Sequence, residues 1–582
     1  MKTVTFYSYK GGVGRTLALA NIAMRLSEFG KKVCILDFDL EAPGVHYKFP
    51  KVDLHNRKGL VDYIYEYVQT KERPENLQEM VITLPPTIKD GEPIQLIPAG
   101  DIHDKNYWSN LSNINWTELL YKEDGILFLL DLKERIKNEL NPDFLLIDSR
   151  TGITEIAGIT ISLLADHVTL LAVNNPENLF GCKQLLNSIQ DPSRNLFNRT
   201  IQSTFVLTRI PVLNKDIDLD YAKHGSLLKK VAGQMFDDTE KYKEILIIHS
   251  DDELLLNESL KINLPVKDNK TKKSNTYNKP SPITQDYLNL FEILTQGYLT
   301  DQESINLERI KKAESLLNKM YSTENNKEKL SLIEQALVLN DRYPEAYLWR
   351  ASVLFDFKED HQAMIDVSKA IEIKPDFHQA YFIRGFAYEM RDCSKEAILD
   401  YSKAIEIKPD SDIAYYYRAN AYFDKQKYNK AILDYTNAIE IKSDNSDYYR
   451  NRGLAYLNLE QYDKAIIDYI KTIEIDDKEP STYGNLAQIY LLQSNKEKAK
   501  ALINEAFTLN PKLLLQSELW FYRYAHFPEW RETAKSELER LMTNPEAKSI
   551  GWDFSKNIEV AIAEGHPEPE ELKRIAKQIT EK

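Results

Sequence analysis

Short apolar runs rich in β-branched residues recur through the first half of the chain, and stretches with helical spacing lie between most of them. The runs are TVTFYSY, KVCILDFD, IQLIPAG, FLLIDSR, HVTLLAV and TFVLTRI. The segment LALANIAMRLSEFG, between the first two runs, has the apolar spacing of an amphipathic helix. Strands that alternate with helices predict an α/β domain with a mostly parallel sheet, helices on both faces, and ligands at the carboxyl ends of the strands.

The second half of the chain has a different pattern, in which similar residues recur every 34 positions. Three such series are Ala336, Ala370, Ala404, Ala438, Thr472 and Ala506; Ala351, Gly385, Ala419, Gly453 and Ala487; and Tyr347, Tyr381, Tyr415, Tyr449 and Tyr483. This period is typical of stacked helix pairs, in which small residues let two helices approach and tyrosines fill the gap to the next pair. We expect Pro375, Pro409 and Pro511 to end the second helices. The pattern resembles the tetratricopeptide repeat and implies an all-α solenoid.

Length, composition and charge narrow the classes of protein to consider. The 582 residues exceed the size of a single core, so at least two domains are expected. A hydrophobic content of 43% and a charged content of 28% indicate folded globular domains. The net charge of −14 counts against nonspecific binding to nucleic acid.

Cysteine usage and targeting signals bear on the compartment. Cys34, Cys182 and Cys393 are far apart and form no metal-binding motif, so we expect packed thiols in a reducing compartment. We find no secretory leader and no apolar run of about 18 residues. The sequence therefore predicts a cytoplasmic protein without a membrane span.

The stretch SYKGGVGRT, residues 8–16, lies between the first predicted strand and the first predicted helix. Gly11, Gly12 and Gly14 allow backbone N–H groups to turn towards a bound anion, and a helix that starts at about Arg15 adds a partial positive charge. The hydroxyl of Thr16 is suited to Mg²⁺, as in other phosphate-binding loops. The sequence therefore predicts a site for a nucleotide with Mg²⁺.

This loop resembles the deviant Walker A motif of the ParA/MinD ATPase family, K-G-G-x-G-K-[ST], and differs from it at one position. Lys10 matches the signature lysine of the family, which implies that Lys10 reaches across an ATP-dependent homodimer to phosphates held by the partner subunit. Arg15 replaces the lysine that contacts the β and γ phosphates. Loops with the sequence KGGVGR form a recognisable subgroup of these ATPases.

Three further segments resemble other motifs of the family. KKVCILDFDLEAPG implies that Asp37 and Asp39 lie beside the phosphates, where Asp39 orients water or the hydration shell of the metal. PDFLLIDSRTG implies that Asp148 holds Mg²⁺ through water. VLTRIP implies that Thr208 and the residues up to Pro211 contact the adenine.

The resemblance implies a full set of site residues. Catalytic roles are expected for Lys10, Arg15 and Asp39, and Mg²⁺ ligation for Thr16, Asp39 and Asp148. Contacts to ATP are expected from Lys10, Gly11, Gly12, Val13, Gly14, Arg15, Thr16, Leu17, Asp37, Thr208, Arg209 and Pro211.

The predicted organisation has four regions. They are a ParA/MinD-like P-loop ATPase domain (1–300), a helical connector with a degenerate leading repeat (301–343), five repeats (344–513) and a helical cap (514–582). The polar, lysine-rich segment 267–279 is expected to be a solvated loop or a contact for an anion or an acidic partner.

The last predicted helix carries one apolar stripe, formed by Leu572, Ile575, Ala576 and Ile579. The stripe indicates either a helix packed on the repeats or a helix that lies on a membrane surface. Because the helix is short and balanced in charge, we favour the packed helix.

Arginine in place of lysine changes the expected chemistry of the loop. A planar guanidinium grips two oxygens at once, whereas an ammonium is a compact point charge. Nucleotide binding should survive, because the positive charge is retained. A guanidinium that holds the ground state as tightly as the transition state does not raise turnover, so slow hydrolysis and no hydrolysis are both open.

Three functions fit these patterns. The first is an ATP-dependent switch that dimerises and binds a protein partner on its repeats; the second is a scaffold with a structural nucleotide; the third is a DNA- or membrane-positioning ATPase, which the acidic charge disfavours. The concave face of the repeats is expected to suit an apolar or extended segment, through Phe382, Phe386, Tyr416, Asn420 and Phe423. The resemblance also implies a setting in bacterial signalling or antiviral defence.

Overall fold

The computed structural model describes residues 1–49, 52–55, 57–86, 91–122, 124–152, 154–191, 201–213, 217–250, 282–476, 480–509, 517–544 and 552–580. The predictions for segment 267–279 and for Pro511 lie outside these residues. The chain forms two compact units, Met1–Asp376 and Phe377–Lys582.

A mostly parallel sheet forms the centre of the first unit. Across the described residues its order is β3-β4-β2-β5-β1-β6-β7-β8, and the β3–β4 pair is antiparallel. The strands are β1 (Lys2–Ser8), β2 (Val33–Phe38), β3 (Ile82–Leu84), β4 (Ile94–Ile97), β5 (Phe144–Ser149), β6 (His167–Val173), β7 (Gln202–Ile210) and β8 (Ile245–His249). The six predicted strands are confirmed. Strand β3 is not predicted, because its three residues are too short to show a pattern. Strand β8 is not predicted either, because a short apolar run has no periodicity that distinguishes a strand from a buried helix.

Helices cover both faces of this sheet, as predicted. They are α1 (Arg15–Glu28), α2 (Leu60–Thr70), α3 (Lys105–Ser112), α4 (Trp116–Lys122), α5 (Gly125–Arg135), α6 (Glu155–Gly158), α7 (Pro176–Gln190), α8 (Ile217–Lys223), α9 (Gly225–Phe236) and α10 (Pro282–Thr295). Alternate residues of β2 face opposite layers. Ile35 packs in a cluster with residues of α1 and α10, whereas Leu36 packs with residues of α2 and α5.

Paired helices follow the sheet. Those of the first unit are α11 (Asp301–Ser322), α12 (Asn326–Leu339), α13 (Pro344–Asp356) and α14 (Asp360–Ile373). Those of the second unit begin with α15 (His378–Glu389), α16 (Ser394–Ile407), α17 (Asp412–Asp424), α18 (Tyr428–Ile441), α19 (Ser446–Asn458), α20 (Tyr462–Ile475), α21 (Pro480–Leu492) and α22 (Lys496–Leu509). The prediction of an all-helical repeat region after the sheet domain is confirmed.

Small residues and prolines act in the repeats as the sequence predicts. A Cβ atom on Gly385 would lie 2.8 Å from the Tyr401 ring, so this position needs a glycine for α15 and α16 to approach. Helix α16 ends at Ile407, shortly before Pro409. The tyrosines have an additional role: the Tyr381 ring lies 5.5 Å from the guanidinium of Arg384, one turn later on the same helix.

Within the described residues after the last repeat, the helices are α23 (Ser517–His526), α24 (Arg531–Leu541), α25 (Ser555–Ala563) and α26 (Pro569–Thr580). The apolar stripe of α26 is buried in one cluster with Tyr483 and Ile503 of the last repeat. This packing matches the capping helix that we favoured over a membrane-lying helix. Among the described helices, none is long and apolar enough to cross a membrane.

Candidate functional site

The predicted acidic residues meet at the carboxyl ends of neighbouring strands. Strand β5 lies between β1 and β2, and Asp148 pairs in register with Phe6 on one side and Asp37 on the other. Asp39 follows the end of β2, and the glycine loop follows the end of β1. Because parallel strands end at the same edge, the sheet places the loop and all three carboxylates together.

The glycine loop keeps an open backbone. Gly12 and Gly14 have φ angles of 75° and 84°, in the left-handed region that favours glycine. Gly14 caps α1, and Gly11 and Gly14 have open space where a Cβ would stand. The side chains of Val13 and Leu17 are buried in the core, so any contact that these two residues make to a nucleotide comes from the backbone.

Arg15 is held by the two acids that the sequence analysis assigned to metal binding. Its Nε donates to Asp148 Oδ1 at 2.5 Å, and its Nη2 donates to Asp39 Oδ2. The Thr16 hydroxyl donates to the other oxygen of Asp148 at 2.6 Å. The Arg15 side chain is 7% exposed, and its Nη1 is buried with no hydrogen-bond partner among the described residues. The arginine therefore offsets part of the negative charge of the two acids and retains one unused donor.

Burial shapes the charges of this cluster. Burial alone would lower the pKa of Arg15, but Asp148 and Asp39 outweigh it, so the pKa is raised and the guanidinium stays charged. Burial, followed by the charges of Asp148 and Asp39, raises the pKa of Asp37 well above its usual value. Burial also raises the pKa of Asp39, against the opposing effect of Arg15. Three buried carboxylates around one guanidinium form a site that favours an additional cation.

Lys10, the predicted cross-dimer lysine, is paired within its own chain. Its Nζ lies 2.5 Å from Glu177 Oε2 at the start of α7, and both side chains are about half exposed. The adjacent Tyr9 ring packs on Gly181 of the same helix so closely that a Cβ there would lie 2.2 Å from ring atoms. Glu177 is not among the predicted site residues, although its position shortly after the end of β6 is a usable signal.

The residues predicted to contact adenine lie at the end of β7. Thr208 is buried and its hydroxyl donates to the Ala172 carbonyl at 3.3 Å, whereas Pro211 is exposed. Arg209 has a φ of 59° at a register shift between β7 and β8. This bulge brings its Nη2 to 3.7 Å from the Cβ position of Gly12, so Arg209 lies beside the phosphate loop. The loop therefore has a second nearby arginine that its own motif does not contain.

The repeats contain a recurrent arginine–aspartate pair that the sequence analysis missed. In each of four units, an arginine of the first helix makes a two-pronged contact to an aspartate of the second helix, 16 residues later. The pairs are Arg350–Asp366, Arg384–Asp400, Arg418–Asp434 and Arg452–Asp468. Both the arginines and the aspartates recur every 34 residues, so the repeat pattern of the sequence already contains these pairs. At the equivalent positions of the last unit stand Leu486 and Leu502, which share an apolar cluster.

The predicted recognition residues are unequal in their freedom to bind a partner. Phe386 is 41% exposed and stands edge-on to Tyr417, with ring centres 5.6 Å apart. Asn420 instead accepts hydrogen bonds from Tyr435 at 2.7 Å and from Asn451 at 3.2 Å. Phe382 and Tyr416 each pack against Tyr417, and Phe423 packs against Tyr428. The exposed aromatic surface is thus centred on Phe386.

Comparisons with known proteins agree with this division of the chain. The model of a family described as AAA domain matches residues 1–203, and tetratricopeptide repeat models match 395–425, 419–460, 446–479 and 480–513. The septum site-determining protein MinD of Helicobacter pylori is 30% identical over 170 residues. That match covers 29% of this chain and 52% of the relative, so the chain spans about half the length of that relative.

Two solved structures illustrate the partial likeness. MinD from Pyrococcus horikoshii, complexed with Mg-ADP, is 19% identical, with a TM-score of 0.27, over 36% of this chain and 70% of that one. YrrB, a tetratricopeptide repeat protein with an unusual peptide-binding site, is 21% identical, with a TM-score of 0.29. That match covers 31% of this chain and 92% of YrrB.

The mostly parallel sheet, with a glycine loop at the carboxyl end of its first strand, defines a P-loop fold that is followed by a helical repeat region. More specifically, residues 1–203 form an AAA domain of the ParA/MinD type, and tetratricopeptide repeats occupy the C-terminal part of the chain.

Proposed function

We propose that this protein is an ATP-dependent molecular switch, in which Arg15 exchanges its acidic partners for nucleotide phosphates. The observation that carries the proposal is the double contact of Arg15 with Asp39 and Asp148. In this arrangement the site is closed to a metal by its own arginine. Loading of the site therefore requires a local rearrangement, which is the property that a switch needs.

The residues present fit ATP and Mg²⁺. The open glycine backbone and the unused Nη1 of Arg15 suit phosphate oxygens. Thr16 and Asp148 carry the hydroxyl and carboxylate oxygens that Mg²⁺ prefers, and would hold it. When bound, Mg²⁺ would neutralise charge on the β and γ phosphates. Arg15 turns from the acids to the phosphates, and Asp39 becomes free to orient water.

The proposed rate of hydrolysis is low. A guanidinium that grips two oxygens can stabilise the ground state and the transition state alike, and such uniform binding does not lower the barrier. In addition, each turnover requires that Arg15 leave two buried carboxylates. We therefore propose a weak Mg²⁺-dependent ATPase, in which occupancy by ATP, rather than rapid turnover, sets the state of the switch.

Lys10 is proposed to link nucleotide binding to dimerisation. Its pair with Glu177 is half exposed, so the contact is weak and can be exchanged at low cost. In the ATP state Lys10 leaves Glu177 and reaches the phosphates of a partner subunit. The repeats then present the surface around Phe386 to an extended, apolar protein segment. A setting in bacterial signalling or antiviral defence is consistent with this arrangement.

A scaffold with a structural nucleotide is the second candidate, because Arg15 already pairs with Asp39 and Asp148 without a ligand. The two candidates differ in the role of Asp39. In a scaffold, Asp39→Ala would still bind nucleotide and keep its partner, whereas in a switch the same variant would bind nucleotide and lose the response to it.

The test is the solution mass measured by light scattering without nucleotide, with Mg-ADP and with Mg-ATP. A switch doubles its mass from the 67.5 kDa monomer with Mg-ATP alone. Lys10→Ala should stay monomeric while it still binds a fluorescent ATP analogue. The matched control is Lys137→Ala, which breaks a comparably exposed Lys–Glu pair just after α5. A wild-type mass that does not change with bound ATP would contradict the switch and leave the scaffold.

A further inference from the structure

A buried cluster of histidines and aspartates lies at the β8 edge of the sheet, outside the proposed nucleotide site. Asp220 lies on α8, His224 follows it by one helical turn, and His249 ends β8. The three side chains are at most 3% exposed. Buried imidazole and carboxylate groups that converge from two elements form an arrangement in which metal ligands occur.

The potential ligand atoms converge on one point. One ligand atom from each of Asp220, His224 and His249 lies within 4.8 Å of the other two. His249 Nε2 is 2.7 Å from Asp220 Oδ2, and His224 Nε2 is 3.2 Å from the same oxygen. A small movement of these side chains would give the separations that ligands of one ion require.

A second layer of groups orients the cluster. The other nitrogen of His249, Nδ1, is 2.9 Å from Asp286 Oδ2 on α10. Tyr221 donates its hydroxyl proton to the remaining oxygen of Asp286. A carboxylate behind a histidine fixes the ring and its tautomer so that the opposite nitrogen presents a lone pair to a metal. The other oxygen of Asp220 accepts from the Leu213 backbone N–H at 2.5 Å, so Oδ2 is the oxygen directed at the histidines.

We propose that Asp220, His224 and His249 form a binding site for a divalent first-row transition metal, with Zn²⁺ as the preferred ion. Two imidazoles and one carboxylate are the N and O ligands that Zn²⁺ accepts. The two carboxylates of Asp220 and Asp286 match the charge of a divalent ion. Through Asp220, which accepts from the Leu213 N–H, the metal would also hold Leu213, two residues after Pro211.

The experiment uses the full chain, treated with EDTA, desalted and titrated with Co²⁺ and then with Zn²⁺ in the absence of nucleotide. We expect one Co²⁺ per chain with visible d–d absorption bands that Zn²⁺ abolishes by displacement. His224→Gln and Asp220→Asn should weaken Co²⁺ binding at least about tenfold, and Asp286→Asn should weaken it by a similar factor through the lost orientation of His249.

The matched control is His167→Gln. His167 is also a buried strand histidine, but its Nε2 lies 2.9 Å from the Thr204 hydroxyl and it is not part of the cluster. This variant should bind Co²⁺ like the wild type. Binding at Thr16 and Asp148 is unaffected by any of these changes, so ion uptake that survives in His224→Gln is assigned there and not to the cluster.

Two outcomes would overturn the proposal. One is a wild-type chain that takes up no Co²⁺ or Zn²⁺, which would leave the cluster as a hydrogen-bonded core network. The other is binding that is equal in the wild type and in both ligand variants. The first outcome is measured on the wild-type chain alone. The proposal can therefore be overturned even if a variant fails to fold.

Discussion

Arginine–aspartate contacts occur in the repeats and at the glycine loop, and they differ in how many guanidinium nitrogens have a hydrogen-bond partner. In the repeats, Arg418 uses all three guanidinium nitrogens: Nε and Nη2 donate to Asp434 at 2.7 and 2.8 Å, and Nη1 donates to Ser402 of the preceding unit at 3.0 Å. At the glycine loop, Arg15 uses two nitrogens and leaves Nη1 buried without a partner among the described groups. The first contact is complete as it stands, whereas the second has capacity for one more acceptor.

This difference shows how one pair of residue types serves two purposes. A fully paired guanidinium between two helices holds them in one geometry and offers no advantage to a ligand. A guanidinium with an unused donor, beside three buried carboxylates, has capacity for a further acceptor, and in the proposed function a phosphate and a cation offer both groups better partners. The arginine–aspartate pairs of the repeats therefore stabilise the packing of two helices. At the loop, we call the contact of Arg15 with Asp39 and Asp148 the latch, because it is proposed to open when nucleotide binds.

The largest expected effect comes from breaking one repeat pair. Asp434→Ala removes the carboxylate that accepts two hydrogen bonds from Arg418, whose side chain stays mostly buried, and we expect the free energy of unfolding of the repeats to fall by about 3–4 kcal/mol. The control is the double variant Arg418→Leu, Asp434→Leu, which copies Leu486 and Leu502 and should be close to neutral. Urea unfolding followed by circular dichroism measures both. Equal decreases in the two variants would contradict the structural role of the pair.

Glu314 provides a contrast to the arginine–aspartate pairs, because this buried acid is hydrogen-bonded to a tyrosine and not to a cation. Glu314 on α11 accepts from the Tyr343 hydroxyl at 2.7 Å. Burial raises its pKa from 4.5 to about 7, against smaller opposing effects of Tyr343 and Arg25. Because the folded state binds the proton of Glu314 more tightly than the unfolded state does, protonated Glu314 contributes to the stability of the fold. This contribution is fully present below pH 4.5 and is lost as the pH rises through about 7.

Glu314→Gln removes the ionisation that burial opposes. At pH 8 the variant should be more stable than the wild type by up to about 3 kcal/mol, and below pH 4.5 the two should be equal. Thermal unfolding across this pH range is the measurement. A stability difference that does not vary with pH would contradict the raised pKa and indicate a change in packing instead.

Much of both regions follows from local pattern in the sequence. Apolar runs predict six strands, the resemblance to ParA/MinD motifs implies that Asp37, Asp39 and Asp148 lie at one phosphate site, and the 34-residue period predicts the repeats. The direction of Arg15 does not follow, because it depends on which acids come within reach after folding. The position of Arg209 depends on a bulge, and the Asp220–His249 contact joins separate elements, so neither has a local signature.

A smaller effect is expected when the latch itself is loosened. Lysine presents one ammonium and cannot hold Asp39 and Asp148 as the guanidinium does. Arg15→Lys should therefore raise the apparent affinity for Mg²⁺ in the presence of ATP. The expected increase is about tenfold, which corresponds to the free energy of one charged hydrogen bond. Phosphate release should also rise. Mg²⁺ titration with a fluorescent ATP analogue measures the affinity, and Arg150→Lys, beside Glu41, is the control. Unchanged Mg²⁺ dependence and phosphate release would show that Arg15 is not the latch.

The smallest expected effect concerns Lys10, whose pair with Glu177 is more exposed than the arginine–aspartate pairs. Glu177→Gln removes the resting partner of Lys10 without touching the loop, and exposed pairs contribute at most about 1 kcal/mol. The ATP-dependent dimer should therefore tighten by only about two- to threefold, measured as its dissociation constant by sedimentation equilibrium. Glu134→Gln, on α5, which frees Lys137, should leave that constant unchanged. A weaker dimer in Glu177→Gln would instead place Glu177 within the dimer contact, and Lys10 would then act from its present position.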